Sequence, residues 1–585
     1  MRGYRVEEMG VQDIKKSLVL GVGSDFRVQN LCKPLIKTDI TIVSVSLPVV
    51  CVSASLPRPD HKDNLSVLAG SLKRVGAKTP ELTHKKARKI RRYAKRHIYK
   101  LFKPLEQGDV SEPRVWLKTI NHPEKRKQEL LAALIEMEAD LDYQNISRTG
   151  SFVKDEPYDA LKFPRWINAS DDRVKLMLGP FADAIMHELV KNPAFIKVVP
   201  VKDRAKAIFD TLYVEGGIYT AADYTSFESH FVRVKMQIAH DFYRYMTQNL
   251  GGFAQSMFDV FDFDTGSLLF TVMDKILSGS RLLKMRNFGS LKTEARRMSG
   301  EMDTSLGNTF TNFVMVNFLG FVKSEGKTPF TPCFVEGDDS VVRYDQGIEV
   351  TVDDYANYGW IVKVETHTDI AKMSFCGLIF DSSDKVVVCN PMSAIAKFGW
   401  TGRKYIGASH KTLMGLLRSK ALSMCCEFGQ VPILGAFARR VLYLTRTINI
   451  RKSIVSSMEQ YKRVQFLEYL KEKPWLIPYT PPRRTRILVE EMYGITETTQ
   501  IALEKQFESM PLGPFECDLP FTEVSEHNMT RCFVTKGEEF QIRKNRSALC
   551  SEIRDVLSEL NGTVGHETYS MSHHPAYQQL RQLLG

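Results

Sequence analysis

The chain has 585 residues, with 80 Lys and Arg against 68 Asp and Glu, a formal charge of +12 and 43 % hydrophobic residues. This composition excludes disordered and collagenous chains and is that of an ordinary globular protein long enough for several subdomains. The positive balance suits a polyanionic partner without requiring one. Ten cysteines stand without CxxC or Cys/His ligand spacing, and Cys425 and Cys426 are adjacent. That argues against a disulfide framework or structural zinc site and for a reducing compartment.

No stretch reaches the roughly 20 apolar residues of a membrane span, and the N-terminus, with Glu7 and Glu8, does not read as a signal peptide. Ile40 to Val52 is short, β-branched and interrupted by Pro48, which predicts a strand. The prolines of Leu56 to Asp63 predict a linker or surface loop. From Lys85 to Lys103 ten Lys and Arg interleave with Ile90, Tyr93, Ile98, Leu101 and Phe102 at helical spacing. This is either a solvated basic face or a contact for an RNA backbone, with Lys85, Arg88 and Arg92 as candidates. Leu130 to Leu141 predicts an amphipathic helix, and His240 to Leu277 a helical insertion. Beyond Trp400 helices are expected, notably Lys411 to Phe428 and Gly435 to Arg446, as far as the break at Pro478 to Pro482. Ser551 to Leu560 predicts a late helix, followed by a loosely held tail.

Three acidic or polar segments carry the chemistry. Gly337, Asp338 and Asp339 lie between the apolar runs Cys333 to Val335 and Val341 to Val342, which predicts a hairpin with an acidic tip able to hold divalent metal. Asp223 follows a strand-like stretch from Gly217 to Ala222, and Glu228 comes five positions later. Taken alone, Asp223 reads more simply as a helix N-cap. If it instead meets Asp338, the two would bridge paired metal ions about 4 Å apart and clamp an in-line phosphoryl transfer. Between these acids, Met298 to Thr309 is a Ser/Gly loop entering a helix. Thr304 and Asn308 share one helix face, and Asn308 beside Glu228 could read a ribose 2′-hydroxyl. Gly326, Lys327 and Thr328 lack the first glycine of a phosphate loop, Phe321 standing in its place.

The order Asp223 to Glu228, then Arg297-Met298-Ser299-Gly300-Glu301-Met302-Asp303-Thr304-Ser305-Leu306-Gly307-Asn308, then Gly337-Asp338-Asp339, resembles motifs A, B and C of viral RNA-dependent RNA polymerases. The middle segment is similar to that of tombusvirus-like and nodavirus-like positive-strand RNA viruses. The resemblance implies an α+β right-hand polymerase fold, with fingers, a palm built on an antiparallel sheet, and a helical thumb, closed by fingertips. The expected division is an N-terminal extension and fingertips over 1–100, fingers over 101–215, palm over 216–395 with a helical insertion near 235–290, and thumb and tail over 396–585. Leu20 to Leu35 is similar to the fingertip region. The implied reaction is RNA-templated transfer of ribonucleotides to an RNA 3′-hydroxyl, with release of pyrophosphate, in viral genome replication and transcription.

By the same resemblance, Asp223 and Asp338 match metal-binding aspartates, Asp339 a third supporting acid, and Mg2+ the cofactor, with Mn2+ as a substitute. Glu228 and Asn308 match the ribose-reading pair, and Ser299, Gly300 and Thr304 the loop that follows template and nascent base pair. Asp303 stands where many relatives have Asn. Phe152 to Arg165 resembles motif F, with Lys154, Lys162 and Arg165 on the incoming triphosphate. From residues alone this would be a salt-laced surface. Gly359 to Glu365 resembles motif D, with Lys363 as general acid rather than a solvated strand lysine. Phe375, Cys376 and Gly377 resemble motif E, where Phe375 and Cys376 would grip RNA, or else form a buried hairpin. The implied partners are template and product RNA, ribonucleoside triphosphates, a separate membrane-anchored viral replication protein and further copies of this chain. The implied location is host cytoplasm, at membrane-associated replication sites without a membrane segment in this chain. The rival classes are a DNA-making palm enzyme, which would place a bulky aromatic near Glu228, and an inactive RNA-binding scaffold.

Overall fold

The apolar runs flanking the Gly-Asp-Asp tripeptide fold as predicted. Cys333–Glu336 and Asp339–Arg343 are antiparallel strands, Glu336 pairs with Asp339, and Gly337 turns with φ +63°, a value few side-chain-bearing residues adopt. A computed structural model describes residues 1–5, 25, 27–29, 41–120, 122–139, 146–252, 268–269, 271–285, 289–450, 455 and 460–521. The expectations for most of Leu20 to Leu35, for part of the 235–290 insertion, and for Ser551 to Leu560 with the tail lie outside the described residues.

Tyr219–Tyr224 lies beside the hairpin, Ala222 opposite Ser340, and Val362–His367 pairs with its other edge. The four strands form one antiparallel sheet. Side chains alternate across it. Ala222, Tyr224, Val335 and Val342 enter one large core together with Phe310, Val314 and Leu319 of the helix Thr304–Lys323 and with Phe242 of the helix Arg233–Met246. Tyr219, Ala221, Phe334 and Val341 face the other way, against Ile208 and Leu212 of the helix Arg204–Leu212. Both faces are therefore covered, and the hairpin tip is held rigidly at the sheet's end.

A second, five-stranded sheet runs in the order Arg27–Gln29, Gly289–Glu294, Ser280–Met285, Arg148–Val153, Trp166–Ser170. It corrects the expectation of a helical insertion over about 235–290 at its C-terminal end. The helix Arg233–Met246 and the helical turn Thr271–Leu277 are present, but 280–285 and 289–294 are strands that extend this sheet. The chain is thus a mixed α and β fold.

The C-terminal helices His410–Phe428 and Leu434–Leu444 agree with the predicted pair, and helix Glu124–Ala139 with the amphipathic one. The C-terminal helices share a core with residues from 45 to 56. Among the described residues of the Ile40 to Val52 stretch, 41–52, only Ser44–Ser46 is a strand, paired with Trp400–Gly402. Val52 N donates to Phe515 O at 2.8 Å and Cys517 N to Ser53 Oγ at 2.8 Å. Leu56 to Asp63, expected on the surface, is mostly buried. It is irregular as its prolines demand, but it threads the interior, where Tyr158 N donates to Pro57 O and Arg58 pairs with Asp155 at 2.9 Å. The seven cysteines among the described residues are free thiols. No helix among the described residues is long and apolar enough to cross a membrane.

Candidate active site

Asp223 is a strand residue, so the cap alternative falls. It stands one position beyond the Ala222–Ser340 pair and is directly opposite Lys363 on the neighbouring strand. Strand register thus brings Asp223, Lys363 and the Asp338-Asp339 turn to one end of the sheet.

The three acids share a common electrostatic condition. Burial raises the Asp338 carboxyl above its usual range, and the nearby charges of Glu228 and Asp223 raise it further. Asp339 is pushed up to about 7, first by burial and then by Asp338 and Asp223. Asp223 is also raised by burial, while Lys363 and Lys162 pull it down. None of the three forms an ion pair with a described cation of the chain. Adjacent, partly desolvated carboxylates that repel one another are an arrangement a divalent cation would relieve. Among the described residues, no three His, Cys, Asp or Glu side chains make a ready-formed metal cage.

The turn is clamped from behind by the helix Thr304–Lys323. Gly337 N donates to Thr309 Oγ1 at 3.0 Å, and Asn312 Nδ2 donates to Gly337 O at 3.2 Å and to Asp339 O at 3.1 Å. Thr309 and Asn312 were not singled out in the sequence. The signal available was, for Asn312, a polar residue inside the apolar run from Phe310 to Leu319, and Thr309 lies immediately before that run.

The loop leading into that helix is pinned by two buried ion pairs. Arg281 meets Glu301 at 2.6 Å and Arg297 meets Asp303 at 2.7 Å, all four side chains being at most 1 % exposed. Asp303, the position that departs from many relatives, is an internal strut, with Tyr243 donating to it at 3.2 Å. A Cβ on Gly307 would lie 1.9 Å from Arg297 Nη1, so glycine is required for this approach. Between the pins, Ser299 is half-buried and Gly300 is exposed at φ +113°. Thr304 closes the loop: its hydroxyl donates to Met298 O at 2.7 Å and accepts from Glu301 N at 3.0 Å, so it is occupied within the loop rather than offered to a nucleotide.

Glu228 lies on the short turn Phe227–His230, entered through Ser226 in the left-handed region at φ +56°. It forms an ion pair with Arg74 at 2.8 Å. Asn308 is not bonded to it, and Asn308 Oδ1 is a buried oxygen without a partner. Arg74, 154 positions upstream of Glu228, has no local sequence signal.

Of the basic segment 152–165, Arg165 feels the charges of Glu156, Glu228 and Asp338, and Lys162 feels that of Glu156 and acts on Asp223. Both therefore face the acidic end of the sheet. Lys154 is held by Glu156 at 2.8 Å, while Glu156 lies 3.4 Å from Arg165. Phe375 is 2 % exposed, packed in the core beneath the sheet, so the expectation that it grips RNA is corrected in favour of the buried hairpin. Cys376, at φ +54°, projects its thiol toward Glu336, 3.7 Å away. Lys85, Arg88 and Arg92 are exposed on the helix His84–Tyr93 and form no ion pair with the acids of this cluster.

Lys235, also unforeseen, is fully buried and donates to Pro80 O, His230 O and Gly359 O at 2.9, 2.9 and 2.6 Å, with its ammonium 4.7 Å from the Trp360 ring. It ties the turn bearing Glu228 to the segment that leads into Lys363.

The family described as viral RNA dependent RNA polymerase matches residues 284–513, a stretch that includes the pinned loop, its helix, the acidic turn and Lys363. Asp223, Glu228 and the 152–165 segment lie upstream of it. No curated protein matches the chain. Residues 284–513 belong to the tombus- and noda-like family of viral RNA-dependent RNA polymerases, and the chain is an RNA-directed RNA polymerase.

Proposed function

We propose that this polymerase works by two-metal-ion nucleotidyl transfer, replicating and transcribing a viral RNA genome. The observation that carries the reading is the meeting of Asp223 with Asp338 and Asp339 at one sheet end, unneutralised and with raised carboxyl pKa values. The donor set fits Mg2+, which takes one or two carboxylates and fills its remaining positions with water and substrate phosphate. Asp223 and Asp338 would hold the ions, Asp339 would support them, and Mn2+ would substitute. When bound, the metals would activate the 3′-hydroxyl and neutralise charge on the leaving pyrophosphate.

The chain's own residues do the rest. Arg165 offers a bidentate fork, and Lys162 and Lys154 offer point charges, to the triphosphate. Lys363, one strand over from Asp223, supplies the proton to the departing pyrophosphate. Asn308, with its unpartnered oxygen, accepts from the ribose 2′-hydroxyl, while Glu228 is held ready by Arg74. Ser299 and Gly300 follow the new base pair. In this reading the four-stranded sheet is the palm, the five-stranded sheet belongs to the fingers, and the helices after 396 form the thumb. A membrane-anchored replication protein brings the enzyme to cytoplasmic membranes, and self-association is part of the same picture.

The test is primer extension on an RNA template together with thermal unfolding. Wild-type chain should extend with ribonucleotides only when Mg2+ or Mn2+ is present. Those ions should stabilise it by about 2.7 kcal/mol at a hundredfold excess over Kd. Extension without stabilisation by the metal, or stabilisation preserved in Asp338→Ala, would move the metal elsewhere. Equal use of deoxyribonucleotides would remove the ribose-reading roles.

A further inference from the structure

We propose that the chain carries a second RNA-binding surface, a basic groove outside the acidic cleft that holds the phosphodiester backbone of a single RNA strand. The inference rests on the chain being an RNA polymerase, but not on the two-metal mechanism.

The groove has a volume of about 630 Å3 and lies between the helix His84–Tyr93, with its continuation to Tyr99, and the helix Arg233–Met246. Arg88, Arg92 and Lys95 line one wall. Their spacing of four and three residues puts them on one helix face, a turn of about 5.4 Å apart, the kind of ladder that follows successive phosphates. Arg244 lines the other wall, and Tyr99 and Tyr245, stacked at 4.9 Å between ring centres, contribute the aromatic surface.

The charge balance points to an anion. The groove's single carboxylate, Asp241, is already taken by Arg91 at 2.6 Å and by Arg244 at 3.2 Å. Arg88, Arg92 and Lys95 have no acid within ion-pair distance among the described residues. Three unpaired cations on a concave wall, two of them guanidinium forks, suit phosphate oxygens.

The groove is separate from the cleft. Thr309 and Asn312 hold the acidic turn, whereas Phe310 of the same helix stacks on Phe242 at 3.9 Å, and Phe242 meets Tyr99 at 5.6 Å. This aromatic layer stands between the groove and the helix that clamps the turn.

RNA is favoured over an anionic membrane because the basic helix has no apolar face left for a bilayer. Ala87, Ile90, Tyr93, Ala94 and Ile98 are all buried in the core. An interfacial helix needs such a face outward. The contacts available are to phosphate, so the surface should bind without reading sequence.

The experiment compares full-length chain with the triple variant Arg88→Gln, Arg92→Gln, Lys95→Gln, both in an Asp338→Ala background, by fluorescence anisotropy of a long labelled oligouridine across a salt series. Three lost phosphate contacts at roughly 0.7 each should flatten the slope of log K against log salt by about 2. A charge-keeping variant, Arg88→Lys with Arg92→Lys, should retain the slope, which separates lost charge from lost folding. An unchanged slope in a folded triple variant would overturn the proposal. So would loss of binding to phosphatidylserine vesicles with the RNA slope intact, which would assign the groove to membrane instead. Failure of the wild-type chain to extend primers would strike the mechanism above and leave the salt slope to decide the groove.

Discussion

Two groups of charged side chains in this fold, one buried and one at the open end of a sheet, are built on opposite principles. At the loop 298–303, Arg281–Glu301 and Arg297–Asp303 are buried ion pairs with each charge matched inside the protein. At the sheet end, Asp223, Asp338 and Asp339 gather like charges with no ion pair among the described residues, and their carboxyl pKa values rise although Lys363, Lys162 and Arg165 stand near enough to offset part of the effect. Matched charges fix backbone. Unmatched ones leave a demand for a ligand, and Thr309 and Asn312, with the strands on either side, hold the turn that carries them.

The sharpest way to break this contrast is to delete one member of each group. Asp338→Ala should lower primer extension by at least about a thousandfold, near 4 kcal/mol of transition-state stabilisation. In metal-free buffer the same variant should melt no earlier than wild type, because a desolvated, repelled carboxylate has gone. Asp303→Ala should do the reverse to stability: stranding Arg297 in the core should cost about 3–5 kcal/mol, read as a large fall in melting temperature. The apolar double replacement Arg297→Met with Asp303→Leu should recover most of that loss. If Asp338→Ala destabilises as strongly as Asp303→Ala, the two groups do not differ in kind.

Lys235 tests an intermediate case, a buried cation satisfied by carbonyls alone. Lys235→Met should cost about 2 kcal/mol near neutral pH, since three acceptors lose their donor. Burial lowers this lysine's pKa to about 7. Between about 7 and its usual value the unfolded chain therefore binds more protons than the folded one, and folding stability rises with pH. The wild-type advantage over Lys235→Met should accordingly widen above pH 7, by at most about 1.4 kcal/mol per pH unit. A gap that narrows with rising pH would contradict the assignment. The smallest effect is expected at the Arg74–Glu228 pair. Either alanine variant should weaken discrimination against deoxynucleotides by about tenfold, and the double variant should be no worse than the single ones. Additive losses would separate the two residues.

How much of this was legible in the sequence follows from how far apart the cooperating residues lie. The hairpin around Asp338 needs only its own apolar flanks and a glycine, and both strands were read correctly. The C-terminal helices announce themselves by local periodicity. The Arg74–Glu228 pair, the Lys235 tie and the register that sets Lys363 opposite Asp223 depend on pairings across many tens of residues, which periodicity does not encode. Leu56 to Asp63 shows the complementary error. Its prolines forbid regular structure, and irregular structure was equated with the surface. Its carbonyls and amides find partners in Tyr158, Tyr4 and their neighbours, so the segment can be buried without being a strand or helix.

The stitching of residues 45–56 to the C-terminal helices sets an order of events during synthesis on the ribosome. Ser53 waits for Cys517, a partner 464 positions later. At roughly 5–20 residues per second that delay is on the order of 20–90 s. Leu47, Val49 and Val50, each at most 1 % exposed in the finished fold, find their first partners only near Gly399 and Trp400, about 350 positions later. The same seam is closed in two stages: residues 44–47 dock on Gly399 to Gly402, and Val52 and Ser53 are fastened only when Phe515 and Cys517 arrive.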